Sequence, residues 1–271
     1  FGIAALWASG GEWQSGNGGA ETSGLGFAAS VALSILAFKG FTTITNSGAE
    51  ITDPHRNVGR TILISIAICT AVYLLVALAV GASLSTEEIR AAQDYALAEA
   101  AGPVLGQVGF YLTVALALVA TASGLIASIF AVSRMLTMLT DMKMIPHSHF
   151  GMPGVIRDHT LVYTVVIAAL LTIFFDLGRI ASLGAFFYLV MDMLIHWGVF
   201  RNLRTEVGAQ GWVLLTAIGL DAVVLAAFAG MKVQADPWIV VIAGVGMIIV
   251  FGFMHIFLRR HPPKTHHNHD A

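Results

Sequence analysis

Long apolar runs without a single charged side chain dominate this chain, and they leave few folds open to it. No Asp, Glu, Lys or Arg occurs between Arg60 and Glu87, between Glu99 and Arg134, between Asp158 and Asp176, or between Asp236 and Arg259. The stretch from Arg179 to Arg201 is interrupted only by Asp192, and that from Glu206 to Lys232 only by Asp221. A helix needs about 20 mostly apolar residues to cover the hydrocarbon core of a bilayer. The runs predict seven spans, at residues 26–49, 61–84, 104–136, 160–176, 180–200, 211–231 and 237–258. Inside lipid each backbone amide must be bonded within its own segment, so the spans are read as helices. The alternation with period two that marks a membrane barrel does not occur. Composition agrees: hydrophobic residues make up 57% of the 271 and charged residues 11%, against about 25% charged in soluble domains. These figures exclude a soluble enzyme and a disordered chain. With 14 basic and 16 acidic residues there is no basic surface for nucleic acid. The one cysteine, Cys69, lies inside an apolar run and gives no disulfide framework.

The chain starts without Met, and residues 1–8 (FGIAALWA) read as the tail of an earlier span. Residues 9–25 are rich in glycine and read as an external loop. Basic residues set the orientation. Arg56, Arg60, Arg134, Lys143, Arg157, Arg201, Arg204, Arg259, Arg260 and Lys264 fall on one side, and Arg90, Arg179 and Lys232 on the other. The first group marks the cytoplasmic face, and the His-rich tail at 259–271 is then cytoplasmic. The loop after the second span carries Ser85 and Glu88 in capping-box spacing and Gly102-Pro103 as a stop, which predicts a short helix outside the bilayer.

The first span, at 26–49, carries Lys39-Gly40 near its middle. A charge at that depth costs at least about 2.5–3.5 kcal/mol. Two readings are open. In one, the helix breaks there and turns free peptide groups toward a solute, as transporter half-helices do. In the other, Lys39 snorkels or pairs with a carboxylate, and Gly40 only lets helices approach.

The stretch AFKGFTTITNSGAEITDPHRNVGRTI resembles the sixth-span signature of the amino acid–polyamine–organocation permeases. Phe38, Gly40 and Phe41 stand at the aromatic–x–Gly–aromatic break. Glu50 ends the following helix, and Asp53, Pro54, Arg56, Asn57 and Arg60 form the loop. Residues 131–146 (AVSRMLTMLTDMKMIP) resemble the exit of the family's eighth span. The resemblance implies a leucine-transporter-like, all-α, polytopic membrane fold of inverted repeats, with the first span here broken. Residues 26–200 would form the second five-helix repeat and 201–258 two accessory spans. The helices of the first repeat would lie outside this chain and supply the other half of the site. The same resemblance places substrate at Leu36, Ala37, Phe38, Lys39, Gly40, Phe41 and Thr42. Carbonyls near Leu36 and Lys39 would take the α-ammonium, and Leu36, Phe38 and Phe41 would wall the side-chain pocket. Where the family often has an acidic residue this chain has Thr42, and before the glycine it has Lys39. A lysine there disfavours cationic substrates if it is protonated and faces inward, or it carries a proton itself.

Coupling is read from what lies near the other sites. Thr121 and Ser123 stand near the family's sodium position, but without an adjacent hydroxyl pair they serve packing equally well, and proton coupling or exchange is the preferred mode. Asp192 and Asp221 lie inside spans, and intramembrane acids are candidates for proton relay. His196 follows Asp192 by one turn, and Lys39–Asp192 is one pairing to look for. Asp221, on an accessory span, is read as facing a polar crevice or an interface. The histidines at 147, 149, 159, 261, 266, 267 and 269 lack the framework of a structural metal site. No P-loop, dinucleotide fingerprint or nucleophile motif occurs. The expectation is a transporter of amino acids or related amines in the cell membrane, neither enzyme nor cofactor protein, with a bilayer and an amino acid as its partners. The alternative is a polytopic channel or a membrane scaffold that transports nothing.

Overall fold

The computed structural model describes residues 24–38, 40, 51–144 and 156–260. Among the described residues all regular structure is helical. The helices are α1 (Gly24–Leu36), α2 (Pro54–Ser83), α3 (Thr86–Ala92), α4 (Ala96–Asp141), α5 (Ile156–Phe174), α6 (Leu177–Gly198), α7 (Gly211–Ala235) and α8 (Pro237–Arg260). A single 3₁₀ turn at Gln93–Tyr95 joins α3 to α4, and a π turn at Val199–Leu203 extends α6. Five segments are long and apolar enough to cross a membrane: Arg56–Ser83, Thr86–Asp141, Leu177–Leu203, Gly211–Ala235 and Pro237–Arg260. Two of the seven expected spans are shorter as apolar helices, Gly24–Leu36 and His159–Phe174. With 13 residues α1 reaches about 20 Å, less than the hydrocarbon thickness.

The chain divides into two compact units. The first takes in Gly40–Ser128 and so holds α2, α3 and most of α4. Helix α2 starts where Asp53 takes a left-handed conformation (φ 49°) and Pro54 opens the first turn, the position at which a missing N–H costs nothing. The Asn57 side-chain amide closes this turn by donating to the Thr52 carbonyl at 2.6 Å. The body of α2 leaves its large side chains bare, with Leu63 70% and Ile64 60% exposed. An apolar surface this continuous is stable against lipid, not water. Ser85 caps α3: its hydroxyl accepts from the Glu88 N–H at 3.3 Å, while its own N–H donates to the Glu88 carboxylate at 2.7 Å. The expected stop at Gly102-Pro103 is not where the chain bends. It breaks instead at Gln93 (φ 46°) and at Gly106 (φ 64°, ψ −158°), and Pro103 stays helical between them. With 46 residues α4 would measure about 69 Å if straight, more than twice the hydrocarbon thickness, so not all of it fits within the apolar layer.

The second unit contains α1, the end of α4 from Ile129, and everything after it. Its centre is a seam where α1, α6, α7 and α8 meet. Ala29, Ala32, Ala185, Phe186, Leu189, Phe228, Ile239 and Ala243 are buried there. Alanine lets backbones come close, which is how helices associate where no hydrophobic drive separates them from lipid. Phe186 and Phe228 fill the remaining space, their rings 4.9 Å apart and tilted by 49°. Helices α6 and α7 run antiparallel. At one end the Arg179 Nε donates to Asp236 Oδ2 at 2.9 Å, and Asp176 caps α6 by accepting from the Arg179 N–H at 2.8 Å. At the other end the Arg204 guanidinium lies on Gly211, so close that a Cβ there would meet Cζ at 2.7 Å.

Two outcomes follow from these contacts. Hydrogen bonds from Ser85, first its backbone N–H and then its hydroxyl, hold Glu88 below the ordinary carboxylate value of 4.5. A depressed carboxylate stabilises its cap above the unfolded value and ceases to do so as pH falls through the lowered one. Amide exchange in Thr86–Ala92, corrected for intrinsic rates, should show protection at neutral pH that disappears in acid, and Glu88→Gln should abolish that pH dependence. The second outcome concerns α6 and α8. A Cβ on Gly246 would lie 3.0 Å from the Phe187 ring, so Gly246→Val should lower thermal stability by about 1–3 kcal/mol, as overpacking does. Phe187→Leu in the same chain should recover part of that loss.

Candidate functional site

The substrate segment expected at residues 36–42 falls where α1 ends. After Leu36 the Ala37 N–H donates to the Ser34 carbonyl and the Phe38 N–H to the Ile35 carbonyl, each at 3.0 Å. These are the tighter i→i+3 bonds of a helix running out. Ala37, Phe38 and Gly40 are in turn conformation, while Lys39, Phe41 and Thr42 lie outside the described residues. Leu36 and Phe38 are partly buried, and the Leu36 side chain reaches over Gly184 of α6. The Ser30 and Ser34 hydroxyls donate back to the carbonyls of Phe27 and Ser30 on the same helix, at 2.7 and 3.0 Å. The pairing sought between Lys39 and Asp192 also lies outside the described residues. Thr121 and Ser123 are on α4 in the first unit, and both are exposed.

Within the second unit the structure brings together three ionisable groups that the sequence separates. Asp192 and His196 stand one turn apart on α6, with His196 Nδ1 3.4 Å from Asp192 Oδ2 and 2.9 Å from the Asp192 carbonyl oxygen. Asp221 of α7 completes the group. One ligand-capable atom from each of the three residues lies within 4.8 Å of the others. The Asp192 and His196 side chains are only 27% and 28% exposed. Asp221 Oδ2 is buried and receives no hydrogen bond among the described residues. Tyr188 stands one turn before Asp192 on the same helix. Asp192 and Asp221 sit near the middles of the apolar helical segments Leu177–Leu203 and Gly211–Ala235. Asp221, read from the sequence as facing a polar crevice or an interface, here faces the polar group of Asp192 and His196. Its signal in the sequence was its central place in a charge-free run. What no sequence pattern gave was its register against α6.

A second polar contact joins the end of α4 to α5. Thr160 Oγ1 lies 3.1 Å from Ser133 Oγ and 3.0 Å from Thr137 Oγ1, and Ser133 and Thr160 are both buried. Thr137 also donates to the Ser133 carbonyl at 2.9 Å, and Thr140 to that of Leu136 at 2.8 Å. Each hydroxyl is thus satisfied by its own helix or its neighbour, which makes this contact a helix-joining clasp.

The sequence profile of a family described as amino acid permease matches residues 1–220, most of the chain. The chain belongs to that family. The permease is 28% identical over 204 residues to the inner membrane transport protein YbaT of Escherichia coli, covering 74% of this chain and 47% of that protein. It is 31% identical over 173 residues to an uncharacterized protein of Methanocaldococcus jannaschii, covering 64% of this chain and 39% of that one. The matched segments thus cover less than half the length of these curated relatives. The names indicate a transporter rather than an enzyme, and the long apolar helices make it a multi-pass membrane protein. Asp192 and His196 fall within the matched residues, whereas Asp221 lies just beyond them.

Hydroxyl bonds between membrane helices contribute about 0.6 kcal/mol on average. Thr160→Val, which keeps the shape and removes the shared hydroxyl, should lower stability by about that much, and by well under 2 kcal/mol. Thermal unfolding in detergent measures it.

Proposed function

We propose that this permease transports amino acids or closely related amines by alternating access, driven by a proton gradient or by exchange. The observation that carries the proposal is the family match over residues 1–220, taken with the end of regular α1 at Leu36 inside an apolar run. A helix that stops within the apolar layer leaves carbonyls without intrahelical partners, and such ends bind polar solutes in transporters. In this reading the peptide groups and side chains of residues 36–42 hold the substrate. Residues 26–200 form one repeat and 201–258 the accessory spans. Helices outside this chain supply the opposing half of the site, in keeping with relatives more than twice as long as the matched segment. The protein resides in the cell membrane with its C-terminus in the cytoplasm, as the basic residues Arg201, Arg204, Arg259 and Arg260 favour.

Lys39 sets the expected selectivity. A protonated ammonium beside the pocket repels arginine and lysine while leaving neutral amino acids unaffected. Proteoliposomes containing the whole protein should show saturable counterflow of neutral amino acids and poor counterflow of cationic ones. Lys39→Met should raise cationic counterflow about tenfold, the effect of roughly 1.4 kcal/mol of repulsion. Absence of saturable counterflow across a full amino acid panel would overturn the proposal. Selectivity unchanged in Lys39→Met would remove Lys39 from the pocket.

A further inference from the structure

We infer that Asp192 and Asp221 form a proton-binding site between α6 and α7, in which one proton is shared by the two carboxyls and exchanged through His196. A carboxylate oxygen of each acid lies within 4.8 Å of the other and of a ring nitrogen of His196. Ionised carboxylates are acceptors only, so two of them cannot bond one another. If both were charged, Asp221 Oδ2 would be a buried anionic oxygen with no donor, and the mutual repulsion would act in apolar surroundings where little screens it. A single proton removes both problems. It turns the contact into a donor–acceptor pair, supplies the donor that Asp221 Oδ2 lacks, and leaves one negative charge on the pair.

The surroundings say where that proton goes. The other titratable groups of α6 beside the pair are Tyr188, one turn before Asp192, and His196, one turn after it. Helix α1, packed on both α6 and α7, has no ionisable side chain in Gly24–Leu36. On α8 the ionisable groups are His255, Arg259 and Arg260, close to its end. On α5 they include His159 and Tyr163, and the ends of the α6–α7 hairpin carry Arg179 with Asp236, Lys232, Arg201 and Arg204. His196 lies one turn beyond the acids, toward the end that carries Arg201 and Arg204. Its ring is already turned to Asp192. A proton leaving the pair converts neutral imidazole to imidazolium and the acid to a carboxylate, and the imidazolium then gives the proton to water. The π turn at Val199–Leu203 begins immediately after this helical stretch, and such widened turns frequently accompany working sites in helices.

The role of this site as the coupling site rests on the transport reading above, but the shared proton does not. Infrared spectroscopy of the whole protein in liposomes reads the proton directly. A carboxylic acid C=O band should be present at neutral pH, shift in D₂O, and disappear in both Asp192→Asn and Asp221→Asn. Both substitutions keep the shape of the side chain, and thermal unfolding checks that the variants fold. In the same liposomes, proton-driven uptake should fall about tenfold in Asp221→Asn, with exchange changed less than about twofold. His196→Gln should keep the band and lose proton-driven uptake, which a merely structural histidine would not do. A band absent from wild type, or retained in both Asn variants, would overturn the site. So would Zn²⁺ bound tightly by wild type and lost in His196→Gln, which would make the cluster a metal site. A normal band without any amino acid uptake would support the proton site and count against the transport reading instead.

Discussion

A peptide group left unpaired in hydrocarbon costs several kcal/mol, and this single constraint orders the whole molecule. It makes the regular structure helical, and it makes each departure from the helix informative. Besides the turns that link one helix to the next, the described residues depart from it after Leu36, at Gln93, at Gly106 and at the π turn Val199–Leu203. Gln93 and Gly106 flank the short stretch that carries Asp94, Glu99 and Pro103. The other two lie next to polar chemistry. Leu36 opens the segment that resembles a permease substrate site, and the π turn follows the Asp192–His196 face.

Helix packing follows from the same environment. Lipid competes as well as leucine does for apolar surface, so burial alone gives helices little reason to associate. What the second unit offers is close approach: Ala29, Ala32, Ala185 and Ala243 in one seam, and Gly246 under the Phe187 ring. The polar contacts are few and local. Serine and threonine hydroxyls return to their own helices, and the Ser133–Thr137–Thr160 clasp is shared between two. Against that background a mid-helix group of two acids and a histidine has no packing rationale, and its cost points to use.

Much of this was legible in the sequence, because charge-free length is a strong signal and needs no tertiary knowledge. The bounds of α2, α6, α7 and α8 follow the apolar runs to within a few residues, except where α2 begins early. There Pro54 starts the helix before the apolar run does. The capping box of Ser85 and Glu88 was readable because both partners lie within one turn. The break beyond it was not: Gly102-Pro103 has the composition of a stop, yet Pro103 stays inside the helix and Gly106 takes the bend. The meeting of Asp192 with Asp221 lay beyond reach for a different reason. Register between helices depends on side-chain fit along two surfaces, and a one-dimensional pattern holds no measure of it. The family resemblance located residues 36–42 but says nothing of Asp221, which falls outside the matched segment.

The α6–α7 hairpin is fastened at both extremities, by Arg204 lying against Gly211 and by Arg179 joined to Asp236. Two fixed points on antiparallel rods leave no freedom to slide, so the loop length and these contacts together act as a ruler. They decide that Asp192 and Asp221 stand level with each other. A shift of one residue in either rod would turn one carboxyl by about 100° around its axis, away from its partner. The two ends of the hairpin thus set the register at its centre, and drift there would part the acids without touching them.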